Sequence, residues 1–309
     1  LPRMTKKFFT LIISTQLVSG IAFCQEQKTA IVDTIPVVAP GATLVQVSKD
    51  FSFTEGPTPD KKGNIYFTDQ PNNRIWKYDT NGNLSVFMEN AGRSNGLFFD
   101  KKGRIISCAD EKNELWAINT SNKKVTVLVD NIDGKKMNGP NDCWVDKKGG
   151  IYFSDPYYQR DYWERKKPDL PKENLYYLPP GAKQPIVVDS NCRKPNGLVI
   201  TPDGKTMYVS DLGGNKTYRY TINEDGTLSN REVFINRGSD GITLDSEGNL
   251  YITGNGVTIY DSSGKYIGRI PIPSRWTANL CFGGKDRKTL FITASESVYT
   301  LRMKVKGVQ

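Results

Sequence analysis

The sequence predicts an all-β fold, a six-bladed β-propeller with four-stranded blades. Three observations predict it. One phrase of residues recurs six times along the chain. The copies are separated by roughly 40 to 57 residues, the length of a four-stranded blade. After the N-terminal segment, no stretch of useful length has the 3.6-residue periodicity of a helix.

The recurring phrase combines a turn with a strand. It begins with Asp or a relative, passes through polar residues and glycine, continues as an apolar strand and ends in Ser/Thr-Asp or a similar pair. Asp-x-x-Gly favours a tight turn, and the alternating Ile, Tyr, Phe and Val residues favour a strand. Further short strands and turns lie between the copies. The copies occupy residues 60–69, 100–110, 146–155, 201–211, 245–254 and 283–295.

The N-terminal segment predicts export. Lys6 and Lys7 precede an apolar stretch that ends at Phe23, too short for a membrane span. The small residues Ala22 and Cys24 occupy the two positions that a signal peptidase reads. We therefore expect a signal peptide over residues 1–24, an extension over 25–44 and the propeller over 45–309, in a periplasmic or extracellular protein. The alternative is a lipoprotein anchored through Cys24.

The composition excludes several classes of site. The chain contains no histidine, so Ser-His-Asp and Cys-His nucleophile systems and histidine-based zinc sites are excluded. A general base must then be Asp, Glu, Lys, Tyr or a metal-bound hydroxide. The net charge of +9 is spread over Lys-Lys pairs, which indicates a solvated basic surface and no nucleic-acid partner.

The four cysteines beyond the signal match no metal motif. Cys108, Cys143 and Cys281 fall in apolar strands, where a buried free thiol is the ordinary explanation. A Cys143–Cys192 disulfide is the alternative, because exported proteins can form disulfides.

An oxygen-bearing side chain precedes every copy of the phrase at one structural register. Single Asn-Gly or Asp-Gly pairs usually mark turns, but this register begins the innermost strand of each blade, beside the channel. Six such side chains should converge on the axis. Two carboxylates with several amide oxygens suit one divalent ion, calcium first, with magnesium, manganese or zinc as substitutes. The six residues are Glu55, Asn95, Asn141, Asn196, Asp240 and Asn279.

The sequence resembles the gluconolactonase/regucalcin (senescence marker protein) family of six-bladed propellers over roughly residues 45 to 303. The segments that carry the resemblance are 55–57, 141–142, 195–198, 239–241, 279–284 and 289–293. The resemblance implies a metal-dependent lactonase. It assigns metal ligands to Glu55, Asn196 and Asp240, with Asn141 as a fourth, and the general base to Asp240. We expect the substrate contacts at Asn95, Asp142, Tyr157 and Asn279.

Two features depart from that family pattern. Gly139 stands where regucalcin-like members have an arginine, and an aromatic and basic insertion runs from Tyr157 to Arg165. The insertion is either a lid over the channel mouth, which would shape specificity, or an ordinary surface loop. These departures affect the choice of substrate more than the metal site.

The expected activity is metal-dependent hydrolysis of a small sugar lactone, a carboxylic ester reaction in which Asp240 assists the attacking water. One alternative is another ester or phosphotriester hydrolase on the same metal site. A second is a non-catalytic propeller that binds calcium or a sugar, since fold does not determine function. A strictosidine-synthase-like propeller fits the oxygen ligands less well. The sequence does not indicate which lactone is used or the oligomeric state.

Overall fold

A computed structural model describes residues 29–30 and 35–309. The signal peptide expected over residues 1–24 lies outside the described residues. In the described part of the chain every regular element is a β-strand. Accordingly, nothing in those residues forms a helix of the length and apolarity needed to cross a bilayer.

The strands form six antiparallel sheets, which confirms the predicted six-bladed propeller. Two strands, β1 (Thr29–Ala30) and β2 (Thr43–Ser48), precede the first complete blade. Blades one to three consist of β3 (Thr54–Pro59), β4 (Ile65–Asp69), β5 (Arg74–Tyr78) and β6 (Leu84–Glu89); β7 (Ser94–Phe99), β8 (Ile105–Ala109), β9 (Glu114–Ile118) and β10 (Val125–Val129); and β11 (Cys143–Val145), β12 (Ile151–Asp155), β13 (Asn174–Leu178) and β14 (Ile186–Asp189).

The remaining blades follow the same order from the inner to the outer strand. Blades four to six consist of β15 (Pro195–Ile200), β16 (Thr206–Asp211), β17 (Lys216–Ile222) and β18 (Leu228–Ile235); β19 (Ile242–Leu244), β20 (Leu250–Ile252), β21 (Val257–Tyr260) and β22 (Tyr266–Ile270); and β23 (Asn279–Gly283), β24 (Thr289–Ala294) and β25 (Ser297–Arg302), with β2 as the fourth strand.

Blade six joins the two ends of the chain. Strand β2 pairs with β25 through Val45 opposite Thr300, and β1 pairs with β2 on its far side. Ile35, Val37 and Leu44 are buried in the same apolar cluster as blade six. Residues that the sequence analysis assigned to an extension ending at residue 44 are thus part of this blade. Burial of each large apolar side chain stabilises the closure by about 1.5–3 kcal/mol.

The repeated Asp-x-x-Gly phrase forms the predicted turn between the first and second strands. In blade one the Asp60 carboxylate accepts hydrogen bonds from the backbone N–H of Lys62 at 2.8 Å and Asn64 at 3.0 Å. Gly63 adopts a φ of 92°, a conformation in which a Cβ would be strained. The turn therefore delivers the chain directly into the buried second strand.

The described cysteines are all unpaired. Cys108, Cys143, Cys192 and Cys281 are free and buried, so the Cys143–Cys192 disulfide does not form. Each thiol belongs to an apolar cluster and packs as a small apolar group.

Candidate active site

The six oxygen-bearing residues identified from the repeat all lie at or just before the inner strands. Each is at most 9 % exposed. Five of them line one cavity of about 240 Å³ at the axis: Glu55, Asn95, Asn141, Asn196 and Asp240. The register of the repeat therefore brings side chains from five blades to one point.

The glycines that follow these residues make room for the neighbouring blade. A Cβ on Gly197 would lie 2.5 Å from the Asp240 carbonyl oxygen, and one on Gly96 would lie 2.6 Å from that of Asn141. The Gly197 N–H donates to the same Asp240 carbonyl at 2.8 Å. These Asn-Gly pairs reflect close packing of adjacent blades around the axis, and they lie within inner strands rather than in turns.

Asp142 and Asn279 are buried beside Glu55 and do not line the cavity. The Asp142 carboxylate accepts from the Cys143 N–H at 2.9 Å, and the Asn279 amide oxygen accepts from the Leu280 N–H at 2.8 Å. In this arrangement the two residues predicted to contact substrate support the cavity floor.

The carboxyl groups of the floor are held in an environment that disfavours their charge. Burial raises the pKa of Asp240 to about 6, against hydrogen bonds from Trp276 and Asn196 that lower it. Burial and then the negative charge of Asp240 raise the pKa of Glu55 well above its ordinary value. Burial likewise raises the pKa of Asp142 to about 7. A cation in the cavity would oppose all three effects.

Two amide oxygens of the floor suit a hard cation. The Oδ1 atoms of Asn95 and Asn196 are buried without a hydrogen-bond partner among the described residues, a situation that costs about 1–3 kcal/mol per group. The Glu55 and Asp240 carboxylates line the same cavity. Within residues 35–309 no three Asp, Glu or Cys side chains cluster as metal ligands, so the donor set mixes carboxylates with amides, which is chemistry that calcium accepts.

An insertion covers the cavity. Residues 156–173 connect β12 to β13, whereas the matching connections of the other described blades have four residues or fewer. Its Tyr158 and Arg160 line the cavity. The Tyr158 hydroxyl accepts a hydrogen bond from the Asn196 amide at 3.3 Å. The insertion occupies the position of the lid that the sequence suggested.

Tyr157, predicted to contact substrate, is not part of the cavity wall. Its ring lies 5.9 Å from that of Trp163, and the Arg165 guanidinium lies 5.4 Å from its centroid. Of these two neighbouring tyrosines, only Tyr158 therefore lines the cavity.

Sequence reasoning did not name six residues of the cavity wall individually, although two of them, Tyr158 and Arg160, lie in the insertion that it gave as a possible lid. Gln70 and Leu212 directly follow the aspartate that ends the repeated phrase, so their position was available as a signal. Trp276 donates its indole N–H to the Asp240 carboxylate at 2.7 Å, a contact between distant segments that no local pattern reveals. The six are Phe53, Gln70, Tyr158, Arg160, Leu212 and Trp276.

Known proteins share this architecture. The gluconolactonase of Zymomonas mobilis is 28 % identical over 291 residues, which cover 84 % of this chain and 81 % of the relative. The structure of a gluconolactonase from Xanthomonas campestris superposes with a TM-score of 0.79 at 26 % identity, covering 86 % of this chain and 91 % of its own. A calcium-binding regucalcin from Agrobacterium tumefaciens, at 20 % identity and a TM-score of 0.73, covers 87 % of this chain and 95 % of its own and shares the fold.

The match to a family profile establishes which family the chain belongs to. The sequence profile described as the SMP-30/Gluconolactonase/LRE-like region matches residues 53–296. That match extends from Phe53 to the residue before β25, and it includes every residue of the cavity wall. On this evidence, and in agreement with the resemblance identified from its motifs, the chain belongs to the SMP-30/gluconolactonase/LRE-like family.

Proposed function

We propose that this protein is a carboxylic ester hydrolase that opens the ring of a small sugar lactone of the gluconolactone type. Family membership and similarity to gluconolactonases support the reaction class. The observation that carries the proposal is the convergence of Glu55, Asn196 and Asp240 on one covered cavity. A cavity of about 240 Å³ is below the roughly 300–1,000 Å³ typical of drug-sized ligands, and it suits a single sugar ring.

We propose further that a divalent cation, calcium first, with magnesium, manganese or zinc as substitutes, belongs to this site. Glu55, Asn196 and Asp240 would hold it, with Asn141 as a fourth ligand. When bound, such a cation supplies Lewis-acid polarisation of a carbonyl oxygen and stabilises the oxyanion. The unpartnered Asn196 oxygen and the two buried carboxylates support this assignment.

Asp240 is the residue that moves the proton in this proposal. Burial raises the pKa of Asp240 and a bound cation would lower it, so the carboxylate is ionised at neutral pH and can accept a proton. It accepts a proton from water as the water oxygen bonds to the lactone carbonyl carbon. When the ring C–O bond breaks, that proton passes to the leaving alkoxide, and the product is a hydroxy acid. The Trp276 indole and the Asn196 amide orient the carboxylate.

The proposal is tested by proton release from glucono-1,5-lactone. Protein beginning at Gln25 is stripped with chelator and assayed with and without Ca²⁺, Mg²⁺, Mn²⁺ or Zn²⁺. We expect turnover restored by cation in the wild type and lost in Glu55→Gln, with Asp261→Asn in an exposed turn as the matched control. Calcium binding by calorimetry should weaken only in Glu55→Gln. Turnover of aryl esters or phosphotriesters without lactones would move the assignment to the alternative hydrolase, and cation or sugar binding without any turnover to a binding propeller.

We also propose that the protein is exported to the periplasm or beyond. The charged and apolar pattern of residues 4–24 supports this. Fractionation of cells with mass spectrometry of the mature N-terminus tests it. A chain that begins at Gln25 supports cleavage, a lipidated Cys24 supports the anchored alternative, and a cytoplasmic chain that retains the segment contradicts export.

A further inference from the structure

We propose that Arg160 determines substrate specificity by donating hydrogen bonds from its two Nη groups to the hydroxyl oxygens of a polyhydroxylated lactone. The inference rests on the proposed function and deepens it. In this proposal the floor of the cavity contacts the carbonyl end of the ligand. Arg160, which belongs to the insertion over residues 156–173, binds the hydroxyl groups of the ligand.

Arg160 is the basic side chain of a cavity wall that the described residues otherwise build from acids, amides and apolar groups. Its side chain is 26 % exposed. Its Nε bonds the Asp110 carboxylate at 2.9 Å, and neither Nη group makes a hydrogen bond to a described residue. A guanidinium offers donors and no acceptor. The unused donors therefore require oxygen acceptors from water or a ligand.

The guanidinium is held in place before any ligand arrives. Asp110 also accepts from the Tyr162 hydroxyl and, at 3.2 Å, from the Gln70 amide. Its backbone carbonyl accepts from the Trp163 indole at 2.9 Å. Two side chains of the insertion, two and three residues after Arg160, thus tie it to blade two. An arginine fixed in this way loses little conformational entropy when it binds.

The ion pair between Arg160 and Asp110 indicates that the ligand bound by Arg160 is uncharged. Asp110 neutralises the guanidinium at 2.9 Å, so the pair as a whole does not require an anion. Hydroxyl oxygens accept hydrogen bonds without adding charge beside Glu55 and Asp240. Sites built to hydrogen-bond substrate hydroxyl groups discriminate strongly against analogues that lack them. The expected ligand is therefore a lactone with several hydroxyl groups rather than a bare ring.

The test compares two lactones on three variants. Arg160→Met removes the donors and keeps an apolar stem, Arg160→Lys keeps the charge and part of the donor set, and Lys167→Met removes one exposed charge from the same insertion as the control. For glucono-1,5-lactone we expect Arg160→Met to raise KM by about tenfold or more, the equivalent of about 1.4 kcal/mol, with a smaller change in kcat. For δ-valerolactone, which has no hydroxyl groups, every variant should stay within about twofold of the wild type.

A second readout keeps the inference separate from the proposed reaction. Quenching of tryptophan fluorescence, to which Trp276 in the cavity wall contributes, reports binding of the neutral, unreactive glucono-1,5-lactam. If the wild type hydrolyses neither lactone but binds the lactam with an affinity that falls about tenfold in Arg160→Met, the specificity role stands and the reaction assignment fails. Equal losses on both lactones, or unchanged affinity for the lactam, overturn the role of Arg160. Thermal unfolding of each variant verifies folding, and Arg160→Lys replaces Arg160→Met if the latter does not fold.

Discussion

The floor and the roof of the cavity are built in different ways. The floor consists of residues at one register of a sixfold repeat, each delivered by the start of an inner strand. The roof comes from residues 156–173, an insertion that has no counterpart in the other described blades. Repetition supplies converging oxygen-bearing side chains because five blades present the same position to one cavity. Asymmetry, which a small ligand requires, arises where the repeat is interrupted.

The end of the second strand of each blade shows the same contrast between the repeated scaffold and the insertion. In blade four Asp211 accepts from the backbone N–H groups of Arg193 and Lys194, and so shapes the entry to the inner strand. In blade two Ala109 occupies the register of Asp211, and Asp110, one residue later, binds side chains of the insertion. The backbone N–H of Arg93 is satisfied by Asn73 at 2.7 Å. Blade two therefore lacks the scaffold aspartate of blade four, and the residue after that position holds the lid.

The largest effect should come from the floor. Asp240→Asn removes the proposed proton acceptor and one charge of the proposed cation site, so we expect kcat/KM for glucono-1,5-lactone to fall about 10²–10⁴-fold. Stability should not fall to match, because burial already disfavours the ionised carboxyl. Initial rates and thermal unfolding measure the two quantities. Near wild-type rates in this variant would falsify the role of Asp240.

Gly197→Ala tests whether the floor depends on close packing of blades. The added Cβ would lie 2.5 Å from the Asp240 carbonyl oxygen, and overpacking of this kind typically costs about 1–3 kcal/mol of unfolding free energy. Gly149→Ala is the control, because its Cβ would meet nothing within 4 Å and the cost comes only from the φ of 92°. Urea unfolding compares them. If Gly149→Ala costs more than Gly197→Ala, packing at the axis is looser than the structure indicates.

Asp110→Asn and Asp211→Asn test whether Asp110 holds the insertion while Asp211 supports only its own blade. Each should cost about 1–3 kcal/mol, because donors lose a charged acceptor. Only Asp110→Asn should loosen the insertion, so trypsin should cleave after the exposed Lys166 about tenfold faster. Proteolysis followed by mass spectrometry measures the rate at that bond. Equal acceleration in both variants would mean that Asp110 has no special role in holding the lid.

Asp155 should make the free energy of unfolding depend on pH. Burial raises its pKa to about 7, against hydrogen bonds from the Gly139 and Asn138 N–H groups. A raised pKa means that the folded protein keeps a proton which the unfolded chain releases. The free energy of unfolding should then fall as pH rises from about 4, the unfolded value, to about 7. Urea unfolding at pH 5 and pH 8 should show a smaller loss in Asp155→Asn than in the wild type; equal losses contradict the assignment.

The smallest effect is expected far from the cavity. The exposed Arg302 lowers the pKa of Asp286 to about 2, so the pair stabilises the fold above pH 4 and loses this effect as pH falls through 2. Exposed pairs typically contribute less than about 1 kcal/mol. Asp286→Asn should therefore shift urea unfolding slightly at pH 7, less at pH 3, and leave kcat/KM unchanged. A loss of activity would show that this edge of blade six is coupled to the site.

Much of the molecule was predictable from local sequence because a propeller repeats a local unit. The phrase around Asp60 and its five relatives predicted the number of blades, and its register predicted that Glu55, Asn196 and Asp240 meet. Strand β2 was not recognised as the closing strand of blade six. Its partner β25 lies at the other end of the sequence, and its pairing with Val298, Tyr299 and Thr300 leaves no periodic trace.

By itself, the sequence determined the all-β class, the sixfold repeat, the oxygen-bearing side chains at the axis and the absence of histidine chemistry. These follow from residue identity and spacing within single blades. Only the tertiary structure decided that Tyr158 rather than Tyr157 faces the cavity, that Asp110 holds the insertion, and that Trp276 orients Asp240. Each of these contacts joins segments far apart in sequence. Their geometry depends on how whole blades pack, which no local pattern encodes.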